Sequence, residues 1–317
     1  MFNINIDNPS GLEIINITNR QLGIELEIIA SFGAVINRFV VNDSPFSFIT
    51  GYADHKDLVD NHPFFSRSAK LFPFPNRLAH GQYTFAGESY QLPANFPWSD
   101  HAVHGLLYNQ AFLIKETQVD ENHARVTLQF DSKHLDAPGY PFPFCLEVIF
   151  VLNTTGLLQC ETHIVNTGES ALPFGDAWHP YFNLGVDRSQ FTLSMSPCHE
   201  WLHVDDLPSG EKQTFSQFVS PSTLEGVEFN HCFEFDDLES GLIELKRLDG
   251  KAQLLYAQQS SYPFVQLYTP NSEASIAVEP MTCPANAFNN EIGLLVLEPG
   301  QSSTFQWQCQ AIYTGRA

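Results

Sequence analysis

Leu158-Gln159-Cys160-Glu161-Thr162-His163-Ile164 sets Leu158, Cys160, Thr162 and Ile164 two residues apart, with polar Gln159, Glu161 and His163 between them. A period of two sends alternate side chains to opposite faces of an extended chain, so one face can enter a core while the other meets water. Asn153-Thr154-Thr155-Gly156, just upstream, separates this run from another strand-like run as a hairpin turn would. Outward from there the alternation recurs at Ile24, Leu26 and Ile28, at Val126, Leu128 and Phe130, at Phe191, Leu193 and Met195, and at Phe305, Trp307, Cys309 and Ala311. Glu298-Pro299-Gly300 supplies the turn before the last of these. No long stretch carries apolar residues at helical spacing, and prolines and glycines are scattered throughout. An all-β architecture of many strands follows, either two packed sheets or a barrel.

The stretch from about Tyr52 to Trp98 breaks the pattern with prolines, aromatics and histidines, and reads as a long functional loop. No low-complexity linker divides the chain, so residues 1–317 are expected to form a single domain. Length alone is neutral on this, because large β-sandwiches exceed 200 residues as one unit.

Fifteen Lys and Arg against 36 Asp and Glu give a net charge of -21. Such a surface repels polyanions, which argues against nucleic acid and anionic membrane as partners and leaves a neutral small molecule as the easier ligand. The cysteines at 145, 160, 198, 232, 283 and 309 show no CxxC pair and no dense disulfide framework, and read as reduced. The opening MFNINIDNPS has neither a basic region nor an apolar segment of the secretory type, and no later run approaches a membrane span. A cytoplasmic location is expected. The sequence sets no oligomeric state.

Three segments place ionisable residues beside aromatics, glycines and prolines: Asp100 to Gly105, Asp176 to Leu184, and Val278 to Pro284. Sugars are held by carboxylates and amides that bridge hydroxyls and by rings that cover the apolar face of a pyranose, and these segments hold all those residue types. Strand parity puts Ile276 and Val278 on one face and Glu279 on the other. Taken singly, Glu279 reads as a surface carboxylate at a strand end, His179 equally as a structural histidine, and Arg77 as half of a surface ion pair. His101-x-x-His104, with His55 and His62 upstream, has the spacing of a metal site only on a helix, and its surroundings read as loop and strand; no metal and no cofactor is expected. Trp98 and Phe96 could stack on a sugar or simply pack.

Leu71-Phe72-Pro73-Phe74-Pro75-Asn76-Arg77-Leu78, followed by Gly81-Gln82-Tyr83 and Tyr90-Gln91-Leu92-Pro93-Ala94-Asn95, resembles the PxxNR stretch of aldose 1-epimerases, the galactose mutarotase family. His104-Gly105 is similar to the start of the family's LHGG motif, Gly139-Tyr140-Pro141 to its GYPG segment, and His179-Pro180-Tyr181-Phe182-Asn183-Leu184 to its HxYFNL motif. Asn230-His231-Cys232-Phe233 resembles the DHxF element, and Glu279 with Pro284 and Asn286 the ETxxxPDxxN region. These matches run in family order from about residue 70 to the end.

The resemblance implies a large antiparallel β-sandwich of the galactose mutarotase type, and an isomerase that interconverts the α and β anomers of a free aldose. It implies Glu279 as general base, His179 as general acid, His104 polarising the ring oxygen, and Arg77, Asn76 and Asn230 binding sugar. Two departures stand out: Leu106 replaces the second glycine of LHGG, and Asn230 replaces an aspartate that contacts sugar hydroxyls. The alternatives are a non-catalytic carbohydrate-binding sandwich, and a hexose-6-phosphate epimerase in which Arg67, Lys70 and Arg77 would converge on a phosphate.

Overall fold

The computed structural model describes residues 1–237, 239, 241–271 and 273–315, with Ser10 described in its backbone alone. Its largest element is a nine-stranded antiparallel sheet. In that sheet Phe144–Asn153 and Leu157–Asn166 form the hairpin, Val148 facing Thr162 in register, and Leu157–Asn166 pairs on its other edge with Ser302–Tyr313. Leu158, Cys160, Thr162 and Ile164 are buried while Gln159, Glu161 and His163 remain partly accessible, as a period of two requires.

A second antiparallel sheet runs in the order Leu207–Phe215, Cys198–Val204, Asn230–Phe235, Phe264–Tyr268, Ile276–Met281, Ala177–Trp178, Lys70–Leu71, and Tyr181–Phe182 also pairs with Ile276–Met281. The two sheets meet through rings. Trp178 of the second sheet lies 5.6 Å from Phe150 and 6.3 Å from Trp307 of the first, centroid to centroid, and all three belong to one continuous core. Both sheets keep open edges, which decides for a sandwich over a barrel. A third sheet of four strands, from Asn3–Asp7 to Val35–Val40, adds its apolar face to the same core. Among the described residues no helix is long and apolar enough to cross a membrane.

The expected loop from Tyr52 to Trp98 is instead a run of short elements, among them a helix at His55–Phe65. Asp54 caps it by accepting the Asp57 amide at 2.8 Å, and Ser66 ends it in the left-handed region. Only Leu58 and His62 of this helix are buried, and Pro63 sits inside it, so no apolar stripe at helical spacing marked it in the sequence.

Candidate active site

The strand Ile276–Met281 lies next to Phe264–Tyr268 and Tyr181–Phe182, and this placement assembles the site. Ile276 and Val278 pack into the core, and Glu279 lies on the opposite face at 2% exposure, which excludes a surface carboxylate. His179 precedes the strand Tyr181–Phe182. Its own amide donates to the Ala69 carbonyl at 3.2 Å and its carbonyl accepts from the Ser68 amide at 2.7 Å. Its ring stacks on Tyr181 at 5.0 Å and takes His104 edge-on at 5.1 Å, so the imidazole has little room to rotate.

His179 Nε2 stands 3.4 Å from Glu279 Oε1. Burial pushes the Glu279 carboxyl well above its usual range and pulls the His179 imidazole down to about 3. Both shifts have the same cause and favour the uncharged form of each group. Glu279 Oε2 and His179 Nδ1 are buried with no hydrogen-bond partner, and so is Oε1 of Gln266. Buried polar atoms left unmatched beside a cavity mark a place where a ligand completes the bonding.

The cavity encloses about 480 Å³, and its walls include Glu279, His179, His104, Arg77, Asn76 and Asn230. All six candidate residues thus converge, from segments as far apart as Asn76 and Glu279. His104 and Asn76 are cross-linked: the Asn76 amide donates to His104 Nδ1 at 3.3 Å, and the His104 amide donates to the Asn76 carbonyl at 2.9 Å. Burial, then the nearby His179 and Arg77, holds the His104 imidazole neutral. With Nδ1 accepting, its proton resides on Nε2, where it is a donor.

Gly105 follows with φ +70, and a Cβ there would fall 2.3 Å from the Phe72 carbonyl oxygen, so only glycine lets the histidine loop approach the Phe72 strand. Leu106, where the family has a second glycine, donates its amide to the same carbonyl and packs its side chain on the core. Asn286 does not reach the cavity. Its amide donates to the Arg77 carbonyl and its Oδ1 accepts from the Ala79 amide, which fixes the strand that carries Arg77.

Gln266 is the residue the sequence reading missed. It is buried, sits in direct register with Glu279, and donates from Nε2 to Asn230 Oδ1 at 3.1 Å. A lone amide between Val265 and Leu267 in an otherwise apolar strand was its only signal. Phe64, Phe65 and Tyr268 add aromatic wall that was not singled out either, beside Tyr181 of the segment Asp176 to Leu184. Trp98 does face the cavity, and its indole Nε1 donates to the Pro63 carbonyl at 2.8 Å, whereas Phe96 is buried packing.

The basic cluster of the hexose-phosphate alternative does not form. Lys70 is fully buried against Asp176, Arg67 is turned to Glu273, and Arg77 alone of the three reaches the cavity. The four histidines considered for a metal also go separate ways. His55 is exposed at the helix start, and His62 uses Nδ1 on the Tyr52 hydroxyl and Nε2 on the Tyr108 carbonyl. His101 accepts the His80 amide, and His104 accepts that of Asn76.

The family model for aldose 1-epimerase matches residues 14–310 of this chain. The uncharacterized protein YihR of Escherichia coli (strain K12) is 30% identical over 249 residues, 73% of this chain and 74% of that one. Among solved structures, a galactose mutarotase-like protein from Clostridium acetobutylicum aligns over 99% of both chains with a TM-score of 0.88 at 18% identity. The galactose 1-epimerase of Lactobacillus acidophilus NCFM aligns over 99% of both chains with a TM-score of 0.80, also at 18% identity. At that identity the two structures establish a shared fold, the galactose mutarotase-like sandwich.

Proposed function

Because the chain belongs to the aldose 1-epimerase family, we propose that it is a mutarotase, one domain over residues 1–317, that interconverts the α and β anomers of a free aldose. The observation that carries this reading is the buried pair of His179 and Glu279, 3.4 Å apart, each with a polar atom left unmatched at the cavity.

Ring opening needs one proton removed from the anomeric hydroxyl and one delivered to the ring oxygen. The neutral pair becomes an ion pair by moving a single proton from Glu279 to His179, with no change in proton count. In that form the Glu279 carboxylate takes the anomeric proton and the His179 imidazolium donates to the ring oxygen. Both groups are then neutral again, the state that burial favours, while the open-chain sugar turns about its C1–C2 bond. Reclosure on the other face reverses the two transfers, so the cycle closes with side chains alone. His104 Nε2–H polarises the ring oxygen. Arg77, Asn76, Asn230 and Gln266 hold hydroxyls, and Tyr181, Tyr268 and Trp98 offer ring faces to the sugar. A cytoplasmic location agrees with the sequence reading of six scattered, reduced cysteines.

The test is polarimetry, or one-dimensional NMR, of freshly dissolved α-glucose and α-galactose with and without the protein. Faster approach to anomeric equilibrium for either sugar is expected. Binding without acceleration would leave a carbohydrate-binding protein.

A further inference from the structure

Strong cations near the cavity are already engaged. The Arg67 guanidinium lies between the Tyr52 and Phe65 rings with Glu273 as its carboxylate. Lys70 is closed in with Asp176, and Arg188 donates to the carbonyls of Pro270, Glu273 and Ser275. Among the described residues, Arg77 is the only lysine or arginine on the cavity wall.

Arg77 is itself held on three sides. Nη1 donates to Asn76 Oδ1 at 3.4 Å, the guanidinium lies 5.4 Å from the Trp98 ring centre, and Nη2 stands 3.2 Å from Asp206 Oδ2. Asp206 comes from far along the chain. It and Asp205 form the turn between Cys198–Val204 and Leu207–Phe215, with Val204 facing Leu207 in register and both aspartates at positive φ. Two consecutive left-handed residues suit a tight hairpin, so chain geometry, and not the ion pair, places this carboxylate against Arg77. The Asp206 side chain is 58% exposed. An ion pair that open to water adds little to stability, so its consequence is felt by whatever charge approaches Arg77.

We propose that Asp206 is a specificity-determining residue that reserves the cavity for uncharged sugars and disfavours phosphorylated or carboxylated ones. An arginine grips a phosphate by presenting two parallel N–H bonds. Here one arm of the fork is taken by Asp206 and the other by Asn76, and the guanidinium charge is already matched. An anionic sugar would have to expel Asp206 and enter against a chain of net charge -21. A neutral hydroxyl needs only one N–H and displaces no countercharge.

The inference rests on the mutarotase reading, and its test separates the two. Exchange NMR at anomeric equilibrium gives kcat/KM for glucose and glucose 6-phosphate with the native protein and with Asp206→Asn, which keeps the shape and removes the charge. The native protein should favour free glucose. In the variant the ratio of 6-phosphate to free-sugar kcat/KM should rise about tenfold at low ionic strength and fall back as NaCl is added, because the removed charge is exposed and screened. An unchanged ratio, or a native protein that treats both sugars alike, overturns the proposal. If neither sugar is turned over, the mutarotase reading fails, and calorimetric titration of the same two proteins with glucose 6-phosphate decides the charge gate: tighter binding to Asp206→Asn supports it, equal binding overturns it.

Discussion

Two buried pairs of ionisable side chains belong to the same sheet, with Asp176 of one and His179 of the other on either side of the strand Ala177–Trp178, and they are built to opposite ends. Lys70 and Asp176 turn inward. The Lys70 ammonium meets Asp176 Oδ1 at 2.5 Å, donates to the Ala177 carbonyl at 3.0 Å and lies over the Trp178 ring. Asp176 Oδ2 accepts from the Tyr262 hydroxyl at 2.6 Å, and the Asp176 amide donates to Thr282 Oγ1. Burial pulls Lys70 down only to about 8, because Asp176 works against it. His179 and Glu279 turn toward the cavity, and each keeps a polar atom with no partner inside the protein. A buried charge whose partners are all internal ties strands together. A buried pair with bonds left unmade is stable only at a cost, and that cost is recovered when a ligand supplies the missing partners.

The largest expected effect tests the second pair. Glu279→Gln keeps the shape and removes the proton acceptor, so mutarotation should fall by about 10²–10⁴-fold with the urea-unfolding midpoint no lower than that of the native protein. His179→Asn should likewise act on kcat more than on KM. Near-normal turnover in folded Glu279→Gln would end its role as base and erase the contrast between the pairs.

The first pair should answer in stability instead. Lys70→Ala strands the Asp176 carboxylate in the core and should cost about 3–5 kcal/mol in urea denaturation. Lys70→Met combined with Asp176→Leu removes both charges while keeping apolar volume, and should recover most of that loss. If the double variant regains stability yet loses catalysis as severely as Glu279→Gln, Lys70 and Asp176 belong to the site and the division drawn above is wrong.

The sequence revealed these regions unevenly, for physical reasons. Strands such as Leu157–Asn166 were legible because one face meets core and the other meets water, and that contrast is written in the period of two. Glu279, His179, His104, Arg77, Asn76 and Asn230 were legible through motif order, and all six converge on one cavity. The helix His55–Phe65 was hidden because it buries so little of itself. Lys70 misled: its nearness to Arg67 and Arg77 in sequence suggested a basic cluster, yet it donates to the Ala177 carbonyl 107 positions along the chain and pairs with Asp176 just before it. Lysine is so rarely buried that no local pattern announces it. Asp206 was invisible for a simpler reason, since an Asp-Asp turn reads like any hairpin loop until the fold carries it to Arg77.

Arg77→Ala offers a smaller and different effect. It removes hydrogen bonds that a bound sugar makes in the ground state as well as during ring opening, so KM should rise about tenfold with kcat little changed. Steady-state kinetics on the better of glucose and galactose separates this from His179→Asn. A kcat loss in Arg77→Ala as large as in His179→Asn would move the arginine into the proton-transfer machinery.

The smallest expected effect is a flat response to pH, and it follows from the burial that sets the second pair apart. Two such groups at their ordinary values of 4.5 and 6.5 would share a single proton only within that narrow window. Burial widens it at both ends, by lowering His179 to about 3 and raising Glu279 well above its usual range. Below the window a second proton sits on the imidazole and Glu279 cannot become a base; above it the one proton is gone and no acid remains. Between these limits kcat should change by less than about twofold, since the proton count that catalysis needs is constant. Stability carries the same signature with definite signs. The depressed His179 contributes stability that is present above 6.5 and lost as pH falls toward about 3, while the raised Glu279 contributes stability that is present at low pH and lost as pH rises through its elevated value. Glu279→Gln should therefore gain stability relative to the native protein as pH rises, measured as urea midpoints across the range. A kcat profile that peaks between 4.5 and 6.5 and declines on both sides, with no pH-dependent difference in those midpoints, would show the pair titrating as if in water and would remove the distinction between the two buried pairs.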